Sequence, residues 1–313
     1  MSSSGNPRML AEPRRSAPWR ISDRSGRIRD SAWLKLLPAL VVIVPLFAAA
    51  LMLAVIQSLG YFPLIGLRSF NVDAYRSLFG NDEFWQSLLL SIRIAFMASL
   101  LSTVLGIAMA LGIRGIWRRS RRSAFLFQLS LPIPHVIGAL AIVHLLGQSG
   151  LIARLGHSVR LIDTPSEFPA LVFDPYALGI VAEFVWKDAP FIAIVVLGVL
   201  GTVAENYENV AASLGASWWQ RLRHVTLPLL LPAVAPISVI VFAFAFGSFE
   251  VPLLLGESFP SALPVLAYRL HTSVDLGLRP EAMALAVVMS LVVMASALLY
   301  LVLVRRVRRG EQT

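Results

Sequence analysis

The sequence predicts an all-α polytopic membrane protein with six transmembrane helices. The chain has 313 residues, of which 57% are apolar and 14% charged, and this balance is unusual for a protein folded in water. The apolar residues fall in six long blocks, each of about 20 or more residues, the length of helix that crosses a bilayer core. The blocks do not alternate, and backbone inside lipid must satisfy its own hydrogen bonds, so we expect helices.

The predicted spans lie near residues 34–59, 87–113, 123–147, 177–203, 233–255 and 282–304, within a transmembrane domain of residues 34–308. Residues 1–33 are rich in Ser, Pro and Arg and lack apolar periodicity, so we expect a disordered basic tail. The apolar run that follows is as long as a span and has no small-residue cleavage site, which argues against a secretory signal.

The net charge of +9 is unevenly placed. If six helices alternate, the arginine clusters of the amino-terminal tail, the second connection, residues 205–232 and the carboxyl terminus share one side. The positive-inside rule then puts both termini and residues 205–232 in the cytoplasm. We therefore expect a multi-pass protein of the cytoplasmic (inner) membrane, with anionic lipid rather than nucleic acid beside its basic segments.

Several chemistries are not supported by the residues present. The chain has no cysteine and only five scattered histidines, so disulfides and a metal site are not expected. Its two lysines, Lys35 and Lys187, do not follow a glycine, so there is no phosphate-binding loop for ATP hydrolysis. No hydrolase motif is present either. We expect a transport subunit without cofactor or catalytic residues, although an intramembrane enzyme using buried acids is a weaker alternative.

Charged side chains inside the predicted spans are the candidates for a translocation path, because charge in lipid is costly and must face protein or water. The fourth span contains AEFVWKDAPF, in which Glu183 and Lys187 are spaced to pair on one helix face. This cluster either lines a cavity or forms an internal salt bridge that only sets packing. The candidate path residues are Arg93, Glu183, Trp186, Lys187, Asp188, Ser248 and Glu250. An ion-coupled secondary carrier that uses Glu183, Lys187 and Asp188 is the alternative to ATP-driven transport.

The stretch of residues 205–232 predicts a helix over Asn206–Leu214, a turn at Gly215 and a second helix over Ser217–Val225. Ser217 is expected to cap the second helix. Pro228 and Pro232 are expected to stop or kink it, since proline lacks the amide donor. A cytoplasmic helix–glycine–helix is a shape that a partner protein could grip, and the alternative is an interfacial helix that only contacts lipid.

The segment NVAASLGASWWQRLRHVTLP, Asn209–Pro228, resembles the cytoplasmic EAA loop of binding-protein-dependent ABC transporter permeases. Ala211, Gly215 and Leu227-Pro228 match that pattern in register. Asn209 stands where the family usually has Glu and Val210 where it has Ala, while Glu208 is one residue out of register. The resemblance extends through VDAYRSLF, LPIPHVIGAL and WKDAPF, and so covers nearly all of residues 34–308.

The resemblance implies a coupling loop between the fourth and fifth spans that docks on two separate ATPase subunits, which bind the ATP and Mg. It further implies a second permease subunit, identical or homologous, and an extracytoplasmic substrate-binding protein. The loops look closest to those of permeases for polyamines, thiamine and ferric iron, and the acids Asp188 and Glu250 would suit a cationic solute. The implied coupling residues are Glu208, Asn209, Ala211, Gly215, Ala216, Leu227 and Pro228.

Overall fold

A computed structural model describes residues 25–119, 129–201 and 205–310, with side chains over 35–115, 129–201 and 206–302. Most of the expected basic tail and the first residues of the third predicted span lie outside these ranges. The first helix nevertheless begins at Ser25, inside the segment predicted as tail. The fold of the described residues is all-α, and their sole β feature is an isolated bridge between Phe62 and Leu67.

The described residues form twelve α-helical segments, labelled in chain order. They are α1 Ser25–Ser58, α2 Asp73–Gly80, α3 Asp82–Arg119, α4 His135–Leu146, α5 Leu151–Ser158, α6 Leu178–Val199, α7 Glu205–Ser213, α8 Trp218–Arg221, α9 Leu227–Gly247, α10 Glu250–Leu255, α11 Leu263–His271 and α12 Arg279–Gly310. A π-helical turn, Leu222–Thr226, joins α8 to α9. Short 3-10 turns occur at Pro63–Ile65, Pro165–Glu167 and Leu276–Leu278.

Within the described residues, five helical stretches are long and apolar enough to cross a membrane. They are Lys35–Ser58, Asp82–Gly115, His135–Ser158, Trp218–Gly247 and Leu276–Val302. The predicted fourth span corresponds to α6, which has 22 residues. This helix is long enough, but Glu183, Lys187 and Asp188 fall together in its middle, so it is less apolar than the other five. Five of the six predicted spans therefore correspond to apolar helices of the described residues, whereas the crossing by α6 stays a prediction.

The third span differs from its prediction. Residues 129–134 form turns, and α4 begins only at His135, after Pro132 and Pro134. It has 12 residues, which at about 1.5 Å per residue is too short to cross a bilayer core alone. After Gly147–Gly150 the chain becomes helical again as α5, inside the segment predicted as a loop.

The fifth span also differs, because its helix begins before the two prolines that were expected to break it. Helical structure is continuous from Trp218 to Gly247, with Pro228 in the first turn of α9 and Pro232 inside that helix. The wider π turn directly before Pro228 relieves the crowding that a proline ring causes against the preceding turn. The helix ends at Ser248, which has an extended ψ of 130°, and α10 begins at Glu250.

Small and hydroxylated residues hold α3 close to its neighbours. A Cβ added at Gly106 would lie 2.8 Å from the carbonyl oxygen of Ala189 in α6. The backbones of α3 and α6 are therefore in close contact at this glycine, a packing that small residues allow. Ser99 of α3 donates to the Ser238 carbonyl of α9 at 2.7 Å, and the Thr103 and Ser238 hydroxyls are 2.7 Å apart. These bonds fix the register of α3 against α6 and α9.

Candidate coupling surface and intramembrane polar cluster

The predicted helix–glycine–helix is present, and its turn is closed by specific hydrogen bonds. Helix α7 ends at Ser213, and Gly215 has a φ of +85°, a left-handed conformation that disfavours other residues. The Gly215 amide donates to the Ala212 carbonyl at 2.9 Å and the Ala216 amide to the Ala211 carbonyl at 3.0 Å. This pair of bonds is a Schellman motif, which satisfies carbonyls at the end of a helix.

Ser217 caps the next helix, as predicted. Its hydroxyl accepts from the Gln220 amide at 3.4 Å, and the Gln220 side chain accepts from the Ser217 amide at 2.8 Å. This reciprocal pair is a capping box. Together, the Schellman motif and the capping box fix the angle between α7 and α8 through bonds local to the turn.

One surface of α7 and α8 is apolar and exposed. Its five members, here called the docking face, are Tyr207, Val210, Leu214, Trp218 and Trp219. Leu214 is 83% exposed, and both tryptophan side chains are more than half exposed. Several exposed large apolar side chains on one short segment are typical of a site that another protein covers. Of the sequence-predicted coupling residues, Asn209 and Gly215 are exposed beside this face, whereas Ala211 and Ala216 are half-buried.

Glu208, another predicted coupling residue, makes its contacts inside this chain. Arg114 at the end of α3 donates through one nitrogen to both carboxylate oxygens, at 3.1 and 2.9 Å. The Thr226 hydroxyl, at the end of the π turn, also donates to this carboxylate. Leu227 and Pro228 follow directly and begin α9. The sequence pattern gave no sign of this cluster, because its members are far apart in the chain.

In α6 the predicted pairing of Glu183 with Lys187 is wrong. The Glu183 side chain is fully buried and lies 3.1 and 3.2 Å from Nδ1 of His135, the first residue of α4. Gly138, one turn later, leaves room for this contact, since an added Cβ would come within 2.6 Å of the carboxylate.

The Lys187 side chain is also buried. It donates hydrogen bonds to the carbonyls of an irregular backbone segment and does not pair with an acid of the described part of the chain. Its ammonium group donates to the carbonyls of Ser130 at 2.7 Å, Leu131 at 3.3 Å and Ile133. These carbonyls belong to the turns before α4, where Pro132 and Pro134 prevent regular helical hydrogen bonding. Lysine supplies up to three donors, so one side chain satisfies the segment.

Arg93 of α3 is likewise bound to its own chain. It donates to the Pro175 carbonyl at 2.8 Å and lies 5.7 Å from the centre of the Tyr176 ring. The same turn is held by Asp174, a buried residue whose carboxylate accepts from the Tyr176 and Leu178 amides. Asp174 was not predicted, although an Asp shortly before a helix is a sequence signal for capping.

Asp188, Glu250 and Trp186 also belong to the predicted translocation path. One carboxylate oxygen of Asp188 is buried and has no hydrogen-bond partner. Glu250 is exposed in the first turn of α10, after the break at Ser248. Trp186 is 42% exposed. Among the residues searched, no group of His, Asp and Glu side chains could hold a metal ion.

The sequence of residues 102–309 matches the family of binding-protein-dependent transport system inner membrane components. This match covers more than half of the chain. The chain therefore belongs to that permease family. Family membership and the five apolar helices together make it an inner-membrane protein that crosses the bilayer several times.

Named permeases are among its relatives. The molybdenum transport system permease protein ModB of Mycobacterium tuberculosis is 35% identical over 179 residues, which are 55% of this chain and 62% of ModB. A putative 2-aminoethylphosphonate transport system permease protein, PhnV of Salmonella typhimurium, is 30% identical over 187 residues, 59% of this chain and 63% of PhnV. The matched regions thus span less than two thirds of these relatives.

The permease fold extends over more of the chain than these sequence matches. A bacterial alginate ABC transporter, solved in complex with an alginate pentasaccharide-bound periplasmic protein, contains a similar chain. The TM-score is 0.70 at 20% identity, and the superposition covers 91% of this chain and 96% of that one. At this identity the likeness concerns the fold, with helices in corresponding positions.

Proposed function

We propose that this chain is the membrane-spanning permease subunit of an ATP-driven ABC importer. It would form the translocation path for a small solute and couple to a separate ATPase through residues 205–232. The observation that carries the proposal is the docking face, an exposed apolar surface on a rigid helix–glycine–helix, in a chain that lacks a phosphate-binding loop. Such a face is typical of a site that a partner covers, and the sequence lacks the phosphate-binding loop by which an ABC ATPase would bind ATP.

The assembly expected from this role contains two ATPase subunits, a second permease subunit and an extracytoplasmic substrate-binding protein. The solved alginate transporter with its bound periplasmic protein supports the last of these by similarity of fold. With residues 205–232 bound to the ATPase, both termini would lie in the cytoplasm, in agreement with the placement of the arginines.

For the solute, we propose a small ionic compound. Arg93, Glu183 and Lys187 are bonded within the chain, so among the predicted path residues in the described part of the chain Asp188 and Glu250 are the acids available to a solute. Two free carboxylates favour a cation such as thiamine or a polyamine, whereas the relatives named for molybdenum and 2-aminoethylphosphonate favour an oxyanion. Uptake assays with these four solutes, in wild type and in Asp188→Asn, discriminate between the two classes.

The ion-coupled carrier receives less support. A carrier of that kind would need Glu183 and Lys187 to change partners during each cycle, yet both are buried and fully engaged. Dissipating the proton gradient while ATP is maintained would stop such a carrier and spare an ABC importer. This measurement separates the two mechanisms in the same membrane vesicles.

Gly215 provides the direct test of coupling. A Cβ at this position meets no atom within 4 Å, so only the left-handed φ of +85° penalises a side chain. Asn enters this conformation far more readily than a β-branched residue. We expect Gly215→Val to abolish ATP-dependent uptake while the protein stays in the membrane, and Gly215→Asn to retain most of it. Full uptake by wild type without any ATPase would contradict the proposed function.

A further inference from the structure

Helix α7, which carries part of the docking face, has a buried side chain, Glu208, that contacts other segments of the chain. Among residues 206–213, Glu208 alone is buried, and the others are exposed or half-buried. Its carboxylate contacts two other segments, through Arg114 at the end of α3 and Thr226 at the start of the fifth span. These three residues are here called the latch.

We propose that the latch transmits movement of the docking face to α3 and α9, making Glu208, Arg114 and Thr226 positioning residues for transport. The proposal rests on the proposed function, since it takes α7 to be the element that the ATPase moves. Leu227 and Pro228, which the resemblance implies as coupling residues, connect this region to the fifth span along the backbone. The latch adds a side-chain connection to a second membrane helix.

The contacts suit a mechanical connection. The Arg114 and Glu208 side chains are 38% and 10% exposed, so the carboxylate is largely withdrawn from water and the guanidinium partly so. A charged hydrogen-bonded pair of this kind is costly to break, because the separated carboxylate would stay buried without a partner. When α7 moves, Glu208 therefore keeps its bond to Arg114, and α3 is displaced with α7.

The π turn gives the second arm of the latch. Thr226 is its last residue and is buried, with its hydroxyl directed at Glu208. Leu227 continues directly into α9, so a displacement of Glu208 acts on the first residue of that helix. A π turn is rare and is a common site of function within helices, which suits a point where an applied force changes helix direction.

The alternative role for Glu208 is direct contact with the ATPase. Its carboxylate has bonds to Arg114 and Thr226, and burial leaves little of it for a partner. Asn209, next in sequence, is exposed and would meet the partner instead.

The test uses the whole transporter, reconstituted with its ATPase in vesicles, and measures solute uptake and ATP hydrolysis together. Glu208→Gln and Thr226→Val remove the charge and the hydroxyl with little change of shape, and Arg114→Gln removes the partner. We expect each to remain bound to the ATPase while the ATP hydrolysed per solute transported rises at least about fivefold, the low end of common coupling energies. Exchanging the charges, in Arg114→Glu with Glu208→Arg, should restore part of the lost uptake.

A matched control is Asp73→Asn, which removes an exposed ion pair with Arg76 in α2 and should leave the ratio unchanged. If the Glu208 and Arg114 variants transported with the wild-type ratio, or if Glu208→Gln released the ATPase, the latch proposal would be overturned. Failure of the wild-type chain to bind any ATPase would instead refute the proposed function, so the two failures are distinguishable.

Discussion

At the scale of single residues, charge inside the membrane region supports irregular backbone. Lys187 donates to three carbonyls before α4, and Arg93 to one before α6. Each of these carbonyls lies where a proline or a turn removes the regular helical donor. Lipid offers no donor of its own, so a cationic side chain held in protein is the available replacement. The cost of burying charge is thereby offset by bonds that the backbone requires.

The role of Lys187 can be tested by removing its donors. We expect Lys187→Met to destabilise the protein by roughly 2 kcal/mol or more, because hydrogen bonds to charged groups contribute about 1.5–3 kcal/mol each. Thermal denaturation in detergent measures this as a lower midpoint. Lys35→Met, at the other lysine, whose side chain is exposed, is the control and should leave the midpoint unchanged. A normal midpoint together with lost solute uptake would make Lys187 a solute ligand instead.

At the scale of elements, local sequence signals predicted local structure and failed where tertiary contacts decide. The glycine turn and the Ser217 cap follow from residues that are neighbours in the chain, and both are present. The pairing of Glu183 with His135 joins two helices, so the i, i+4 spacing to Lys187 was misleading. Pro228 was expected to end a helix, but a π turn absorbs its steric demand. That turn depends on packing and has no sequence pattern.

Two glycines of α3 allow the packing of this helix against α6 to be tested. Gly106 faces the backbone of α6, whereas Gly112, also in α3, has no atom within 4 Å of an added Cβ. Gly106→Ala should therefore cost roughly 1–3 kcal/mol through overpacking. Gly112→Ala should be neutral or stabilise by up to about 1 kcal/mol, as alanine favours helix. Denaturation midpoints of both variants check this, and equal midpoints would contradict close packing of α3 on α6.

At the scale of the whole molecule, composition was sufficient to predict helices that cross a membrane, and the family match agrees. Composition predicted α4 and α6 less well. Two prolines delay the start of α4, and three charged residues make α6 less apolar. The orientation of the chain depends on whether α6 crosses. If it does, its two ends lie on opposite sides of the membrane, and the placement of the arginines predicts that the docking face is on the cytoplasmic side.

This orientation can be measured because the chain contains no cysteine. Ser166, before α6, and Arg223, after it, are both exposed, and the 22 residues of α6 lie between them. A membrane-impermeant maleimide should label Ser166→Cys in intact spheroplasts, and Arg223→Cys only after the membrane is permeabilised, with the cysteine-free chain as background. Labelling of both from outside would mean that α6 does not cross. Reversed labelling would place the docking face outside, where no ATPase could reach it, and the charge asymmetry would not set the topology.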